Sequence, residues 1–139
     1  MRIVCDTNVL VSGILFEGDS REILLLASRD RVTNFISDAI RHEVKDVLLR
    51  PTFSISPQQA IVIIALFRDT FELVYPAIQN NVVQSDPGNN CILDAAMEAR
   101  ADVIVSGDKR LRSLEQWQGI RILSPKELVQ EIAGSEHCV

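Results

Sequence analysis

The sequence predicts an α/β fold in which a mainly parallel sheet lies between helices. Short runs of β-branched residues alternate with longer segments of helical periodicity, an order typical of βαβ units. The run from Arg2 to Cys5 is one such strand, and Val103 to Val105 and Arg121 to Leu123 are others. The length of 139 residues suits one domain, and 47% hydrophobic and 24% charged residues are ordinary for a globular chain.

Capping and breaking residues delimit the other elements. Ser37 is expected to cap a helix that ends near Leu49, and Ser56-Pro57 to start a helix that ends near Asp69. Two shorter strands are expected over 34–36 and 73–75, with an extended stub at 82–83. The remaining helices are expected over 8–16, 20–28 with Ser20 as the cap, 91–100 after a turn at 85–90, 109–115 and 125–133.

One domain, residues 1–133, is therefore expected, with residues 134–139 as a flexible tail. The longest apolar run, Ala60 to Phe67, has eight residues, far short of the ~20 that span a bilayer. Asp6 stands too close to Met1 to leave room for a signal peptide, so a cytoplasmic protein is expected. Three separated cysteines without a C-x-x-C pair argue against a disulfide framework or a zinc site of the usual spacing.

The net charge of −5 at first disfavours an extended nucleic-acid-binding surface. That objection weakens if several of the 19 acidic residues converge on one cation, because the rest of the molecule is then close to neutral. Acidity alone therefore does not exclude a nuclease.

Two acids follow predicted strands directly. Asp6 comes after the first strand, and Asp108 lies just after Val103 to Val105. In doubly wound sheets the ligand site lies beyond the carboxyl ends of the strands, where these two side chains would meet. Each of them alone is as well explained as a helix cap, so the pair is more informative than either member.

Two further acids can reach the same edge of the sheet. Glu43 falls in the first turns of the Ser37-capped helix, where the bland alternative is a solvated polar face. Asp94 interrupts an apolar stretch, one helical turn after Asn90, and an acid there needs a partner. An arginine or a backbone group would serve as well as a cation.

Carboxylates without nearby histidine or cysteine are the ligands that Mg²⁺ or Mn²⁺ prefers. Several of them in one pocket raise each other's pKa until a cation compensates their charge. With one or two divalent ions, such a site can activate a water and clamp a phosphodiester. The four acids Asp6, Glu43, Asp94 and Asp108 thus indicate a metal-dependent nuclease.

Three segments carry a resemblance to a known family: V-C-D-T-N-V-L-V-S at 4–12, D-A-I-R-H-E-V-K-D-V-L-L-R-P-T-F at 38–53 and A-D-V-I-V-S-G-D-K-R-L at 101–111. They resemble the PIN-domain family, and most of all its branch of toxin components of toxin–antitoxin modules. G-I-R-I-L-S-P-K-E-L at 119–128 fits the C-terminal strand and helix of the same branch. The resemblance covers nearly the whole chain in the right order.

The resemblance implies a three-layer fold with a mainly parallel, five-stranded sheet and an Mg²⁺- or Mn²⁺-dependent ribonuclease. It implies that Asp6 and Glu43 are the first-strand and helix acids, and that Asp108 is the acid of a [T/S]-x-D motif with Ser106 in its first position. Asn8 would hold a metal-bound water or the substrate. It also implies a cognate antitoxin as a partner.

The sequence departs from the family pattern before the helix that carries Asp94. Asp86-Pro87-Gly88-Asn89-Asn90 has amides where acids are frequent, and an amide binds a cation more weakly than a carboxylate does. Either Asp94 completes the site or a second metal is bound weakly. This departure keeps a second hypothesis open, namely a catalytically weak RNA- or protein-binding module. A phosphatase with Asp6 as nucleophile is disfavoured because Asn8 stands where a second aspartate is needed.

Other signals have a structural and a functional interpretation. Lys109 and Arg110 would either bind RNA phosphates or form a solvated helix face. The nearly unbroken apolar stripe within 60–66 predicts core packing first and a homodimer interface second. We therefore also expect a homodimer or higher homo-oligomer.

Overall fold

A computed structural model of the chain describes residues 1–77 and 87–137, the side chains of 87–89 and 135–137 excepted. Six strands form one sheet within these residues: β1 (Arg2–Cys5), β2 (Thr33–Ser37), β3 (Glu72–Val74), β4 (Val103–Val105), β5 (Gln116–Trp117) and β6 (Ile120–Leu123). The helices are α1 (Thr7–Leu15), α2 (Asp19–Ser28), α3 (Asp38–Leu48), α4 (Pro57–Thr70), α5 (Pro87–Ala99), α6 (Lys109–Arg112) and α7 (Pro125–His137), with a short 3₁₀ turn at Pro51–Phe53.

The strand order is β3-β2-β1-β4-β6-β5, with β1 near the centre. All neighbouring strands are parallel except β5, which pairs antiparallel with β6. The predicted mainly parallel α/β sheet is therefore confirmed, and β5 adds a sixth strand to the expected five. Gln118 and Gly119 join β5 to β6, and both have a positive φ. A two-residue hairpin turn needs positive φ at both positions in order to match the twist of its strands.

Most predicted boundaries hold within a residue or two, and four expectations differ. Helix α6 ends at Arg112, three residues before the predicted end at 115. Helix α2 begins after Gly18 and has no side-chain cap, so the expected cap at Ser20 is wrong. Helix α5 already begins at Pro87, inside the segment predicted as a turn. Helix α7 continues past Ala133 to His137, into the segment expected to be a tail. The extended stub expected at 82–83 lies outside the described residues.

The central strands and the inner faces of the helices form one core. Strands β1 and β4 are almost wholly buried, and α3 buries the predicted stripe of Ile40, Val44, Val47 and Leu48. The apolar stripe of α4 behaves differently: Ala60 is buried, but Ile61, Ala65 and Leu66 are exposed. The expectation that this stripe is mainly core is therefore wrong for those three residues.

The carboxyl ends of β1, β4 and β6 are fastened side by side. The backbone N–H of Asp6 donates to the Val105 carbonyl at 2.9 Å, and that of Ser106 donates to the Leu123 carbonyl at 2.9 Å. The residues that follow these strands are therefore held at one edge of the sheet. In the part of the chain that the structure describes, no helix has the length and apolar character that a membrane span needs.

Helices α1 and α2 pack closely at Gly13. A Cβ atom at Gly13 would lie 2.9 Å from the Ser20 carbonyl oxygen and 2.6 Å from a Leu24 methyl carbon. Arg21 reinforces the contact, because its guanidinium donates to the carbonyls of Gly13 at 3.1 Å and Ile14 at 2.9 Å. A residue without a side chain is thus required where α1 ends against α2.

We expect Gly13→Ala to lower the free energy of unfolding by about 1–3 kcal/mol, because the backbone of Ser20 would have to move. Urea denaturation measures the effect. Gly134→Ala is the matched control, since Gly134 also lies in a helix but has open space around its Cα. That substitution should raise stability by about 0.5–1 kcal/mol. Equal effects at the two sites would contradict the close approach.

Candidate active site

Asp6 lies at the start of α1, at the carboxyl end of β1, and is 4% exposed. One carboxylate oxygen accepts a hydrogen bond from the backbone N–H of Val9 at 2.8 Å, which caps α1. The other oxygen accepts a very short hydrogen bond from the Ser106 hydroxyl. Both oxygens of Asp6 are therefore fixed in place, one by its own helix and one by the loop after β4.

The loop after β4 links Asp6 to Asp108 through one buried hydroxyl. The Ser106 oxygen accepts a hydrogen bond from the backbone N–H of Asp108 at 3.0 Å while its proton is donated to Asp6. Asp108 in turn caps α6 by accepting from the backbone N–H of Arg110 at 2.7 Å. Asp108 is therefore a helix cap, and the same contacts hold it beside Asp6.

The pKa of Asp6 is raised, first by burial and then by the charges of Asp108 and Glu43. The hydrogen bonds from Ser106 and Val9 act in the opposite direction and lower it. Since Asp108 and Glu43 both act on Asp6, the three carboxylates share one region of negative potential. A cation placed there would relieve the cost of keeping Asp6 ionised.

Glu43, half-buried on α3, connects this region to α5. The pKa of the Cys91 thiol is raised by burial, then by Asp94 and then by Glu43. The charge of Glu43 therefore raises the pKa of Asp6 and also that of Cys91. Asp94, also half-buried, shares with Cys91 a cavity of about 290 Å³ beside the end of β3. Electrostatic interactions thus link Asp108 and Glu43 to Asp6, and link Glu43 and Asp94 to Cys91.

The donor set suits Mg²⁺ or Mn²⁺ chemically, because it consists of carboxylate oxygens. Within residues 1–77 and 87–137, however, no three acidic, histidine or cysteine side chains form a group that could hold one ion as they stand. Asp6 and Asp108 are brought together through Ser106, whereas Asp94 and Glu43 both act on the thiol of Cys91. Binding of a cation would require these side chains to draw closer.

The other predicted site residues are distributed around the acids. Asn90 is buried on α5, whereas Asn8 is exposed on α1. Lys109 and Arg110 are exposed on α6, with the Arg110 Nε atom 3.8 Å from Asp108. Arg110 therefore partly offsets the charge of Asp108. Asp86 lies outside the described residues, as does the Asn89 side chain.

Two residues at this edge were missed by the sequence analysis. Cys91 and Tyr75 both line the cavity that contains Asp94. Cys91 was detectable in principle, because it precedes Asp94 by three residues on one helix and so lies on the same face. Tyr75 ends a predicted strand, and nothing in the sequence indicated which cavity it would line.

We expect Ser106→Ala to lower the free energy of unfolding by about 1.5–3 kcal/mol at neutral pH. The substitution removes a buried hydrogen bond to a carboxylate and leaves the Asp6 oxygen without its donor. The pKa of Asp6 should rise further for the same reason, which carbon-detected NMR of the carboxyl group would measure.

Ser113→Ala is the matched control, since the Ser113 hydroxyl donates to the Arg110 carbonyl at 2.8 Å in an exposed position. Its loss should change stability by less than about 0.5 kcal/mol. If Ser106→Ala were as mild as Ser113→Ala, the Ser106 hydroxyl would not be what holds Asp6.

Solved structures with the same fold include two VapBC proteins. VapBC2 from Rickettsia felis, bound to a DNA fragment from its promoter, is 17% identical, with a TM-score of 0.62 over 88% of this chain and 97% of its own. VapBC-1 from nontypeable Haemophilus influenzae is 15% identical, with a TM-score of 0.61 over 91% of this chain and 99% of its own. At these identities the similarity establishes the fold alone.

A third similar structure is that of the PIN domain endonuclease Utp24, 17% identical, with a TM-score of 0.53 over 88% of this chain and 84% of its own. No curated protein sequence matches this chain. A family model described as the PIN domain matches residues 2–110, which include Asp6, Glu43, Asp94 and Asp108. The chain therefore belongs to the PIN-domain family.

Proposed function

We propose that the protein is a metal-dependent endoribonuclease that hydrolyses RNA phosphodiester bonds and is the toxin component of a toxin–antitoxin module. The single observation that carries this proposal is the arrangement around Asp6. A nearly buried carboxylate is held by Ser106 at the edge of the sheet, within the field of Asp108 and Glu43. Within residues 1–77 and 87–137 no cationic side chain pairs with Asp6, and an acid whose pKa is raised in this way is typical of a functional site.

Similar proteins support the same conclusion. The fold is shared with a PIN domain endonuclease, Utp24, and with two VapBC proteins. The VapBC likeness and the sequence resemblance to toxin components together support a cognate antitoxin as partner.

In this proposal Asp6, Glu43, Asp94 and Asp108 would hold Mg²⁺ or Mn²⁺. A divalent cation in such a site acidifies a water and offsets the charge that develops on a phosphodiester. Ser106 orients Asp6 by its hydrogen bond, so that the carboxylate is positioned before a ligand arrives. Lys109 and Arg110 would attract RNA phosphates to the edge where the acids lie.

The second candidate is a PIN-fold module that binds RNA or a protein with little or no turnover. Two observations favour it: the amide of Asn90 stands where the family often has an acid, and the acids within the described residues do not form a group ready to hold an ion. Titration with Mn²⁺ separates the two candidates. Saturable binding in the micromolar to millimolar range supports the nuclease, and its absence supports the module.

We expect Asp6→Asn to abolish Mn²⁺-dependent cleavage of RNA without lowering the free energy of unfolding. An amide oxygen can still accept from the Val9 N–H, and the cost of burying an ionised group disappears. Mn²⁺ at about ten times its dissociation constant should stabilise the wild-type protein by about 1.4 kcal/mol but leave the variant unchanged.

Asp46→Asn is the matched control, because Asp46 is an exposed acid on the same helix as Glu43. It should retain cleavage and the stabilisation by Mn²⁺. Retained cleavage in Asp6→Asn, or equal losses in the two variants, would contradict the assignment of Asp6.

We also propose that the protein forms a homodimer through the exposed face of α4. Ile61, Val62 and Leu66 are 57%, 58% and 57% exposed, next to an apolar cavity of about 440 Å³. The sequence from Pro51 to Phe67 contains no charged residue, although the whole chain carries −5. A second copy fits this surface best, because a neutral apolar face can meet its own copy without the repulsion that the rest of the acidic surface would cause.

Val62→Lys should weaken self-association at least about tenfold, because two like charges would face each other across a two-fold axis. Analytical ultracentrifugation over a range of concentrations measures this. Leu25→Lys, on an exposed position of α2, should leave self-association unchanged. A wild-type protein that stays monomeric at all concentrations would overturn the proposed dimer.

A further inference from the structure

Tyr75 is the most exposed large apolar side chain among the described residues, at 69%. It follows β3 directly and so stands at the carboxyl edge of the sheet, on the same side as the acids. Pro76 comes next, and a residue before proline is restricted to extended backbone. The ring of Tyr75 is therefore presented to solvent on a backbone with little freedom.

Two cavities at this edge of the sheet share Tyr75 in their lining. One, of about 290 Å³, is lined by Asp94, Cys91 and Ser37, and thus belongs to the candidate active site. The other, of about 540 Å³, lies toward the end of α4 and contains Arg41 and Arg68. Tyr75 lines both, so a chain that runs from Asp94 into the larger cavity would pass this residue.

The charges around the larger cavity decide what can lie against the ring. Four acids line it, namely Asp30, Asp38, Asp69 and Glu72. Arg41 is already engaged, since it donates to Asp38 at 2.7 Å. Arg68 is the second cation of the lining, so four acids still outnumber two arginines and disfavour a phosphate inside this cavity. The flat face of an uncharged base meets no such penalty, and an aromatic ring is the natural surface on which a base stacks.

We propose that Tyr75 stacks on an unpaired base of the RNA next to the phosphodiester that is cleaved. This inference rests on the proposed nuclease function and adds a specificity-determining residue to it. A base within a duplex is already stacked on both faces, and only an unpaired base can reach a side chain in this way. Tyr75 therefore selects RNA in which the nucleotide beside the cleaved bond is unpaired.

The test compares Tyr75→Ala and Tyr75→Phe with the wild-type protein. The substrate is a short unpaired RNA that carries 2-aminopurine next to the cleaved bond, in the presence of Mn²⁺. Tyr75→Ala should raise the KM about 5- to 100-fold, with a smaller effect on kcat, and should lose the fluorescence quenching that accompanies stacking. Tyr75→Phe keeps the ring and should keep both the KM and the quenching.

Phe16→Ala is the matched control, because Phe16 is an aromatic residue of similar exposure, 57%, and lines a separate cavity with Glu17 and Lys126. It should change neither the KM nor the quenching. Circular dichroism and thermal unfolding check that all variants are folded.

The outcomes separate this inference from the proposed function. If Tyr75→Ala cleaved the RNA and quenched the probe as the wild-type protein does, the role of Tyr75 would be overturned. The proposed nuclease function would not be affected. A wild-type protein that quenches the probe through Tyr75 but does not cleave would overturn the nuclease and keep the stacking. A wild-type protein that neither binds nor cleaves overturns both. If Tyr75→Ala bound RNA as the wild-type protein does but had lost affinity for a protein partner, Tyr75 would belong to the surface that binds that partner, and the stacking role would be overturned.

Discussion

The hydrogen bond between the Ser106 hydroxyl and the buried Asp6 carboxylate is the contact on which the candidate site depends. It joins the ends of β1 and β4, two strands that are already paired in parallel. Because Ser106 also accepts from the backbone of Asp108, a single hydroxyl fixes two acids from distant parts of the sequence. Among the described residues no cationic side chain pairs with Asp6, so its burial is costly, and the charges of Asp108 and Glu43 increase that cost.

Under the proposed function that cost has a chemical use, because a bound cation would offset it. The backbone of the sheet edge keeps the acids within each other's field, and the helices α3 and α5 bring Glu43 and Asp94 to the same edge. Arg110 neutralises part of this charge from the solvent side, while Asp6 remains shielded. The edge thus combines a rigid, buried carboxylate with more accessible ones, a combination that suits a ligand with both a cation and a phosphate.

Two surfaces extend beyond the acids, and they differ in physical character. The exposed face of α4 is apolar and lies in a charge-free stretch of sequence, so it suits contact with another protein surface. Tyr75 is a single flat ring beside the acids, which suits a base. In these two proposals α4 mediates self-association and the end of β3 recognises RNA. Because the two functions lie on different elements, each can be tested without disturbing the other.

The sequence by itself determined the parallel α/β arrangement, most caps and the acids Asp6 and Asp108, because strand patterns and the residues after them are local features. It could not determine that most of the α4 stripe faces outward, since helical periodicity shows an apolar face but not what covers it. Nor could it determine that α5 begins at Pro87, where local turn propensity gives way to the helix. Only the tertiary structure brought Ser106 to Asp6 and placed Tyr75 and Asp94 in the lining of one cavity, because the residues of each pair lie far apart in the chain.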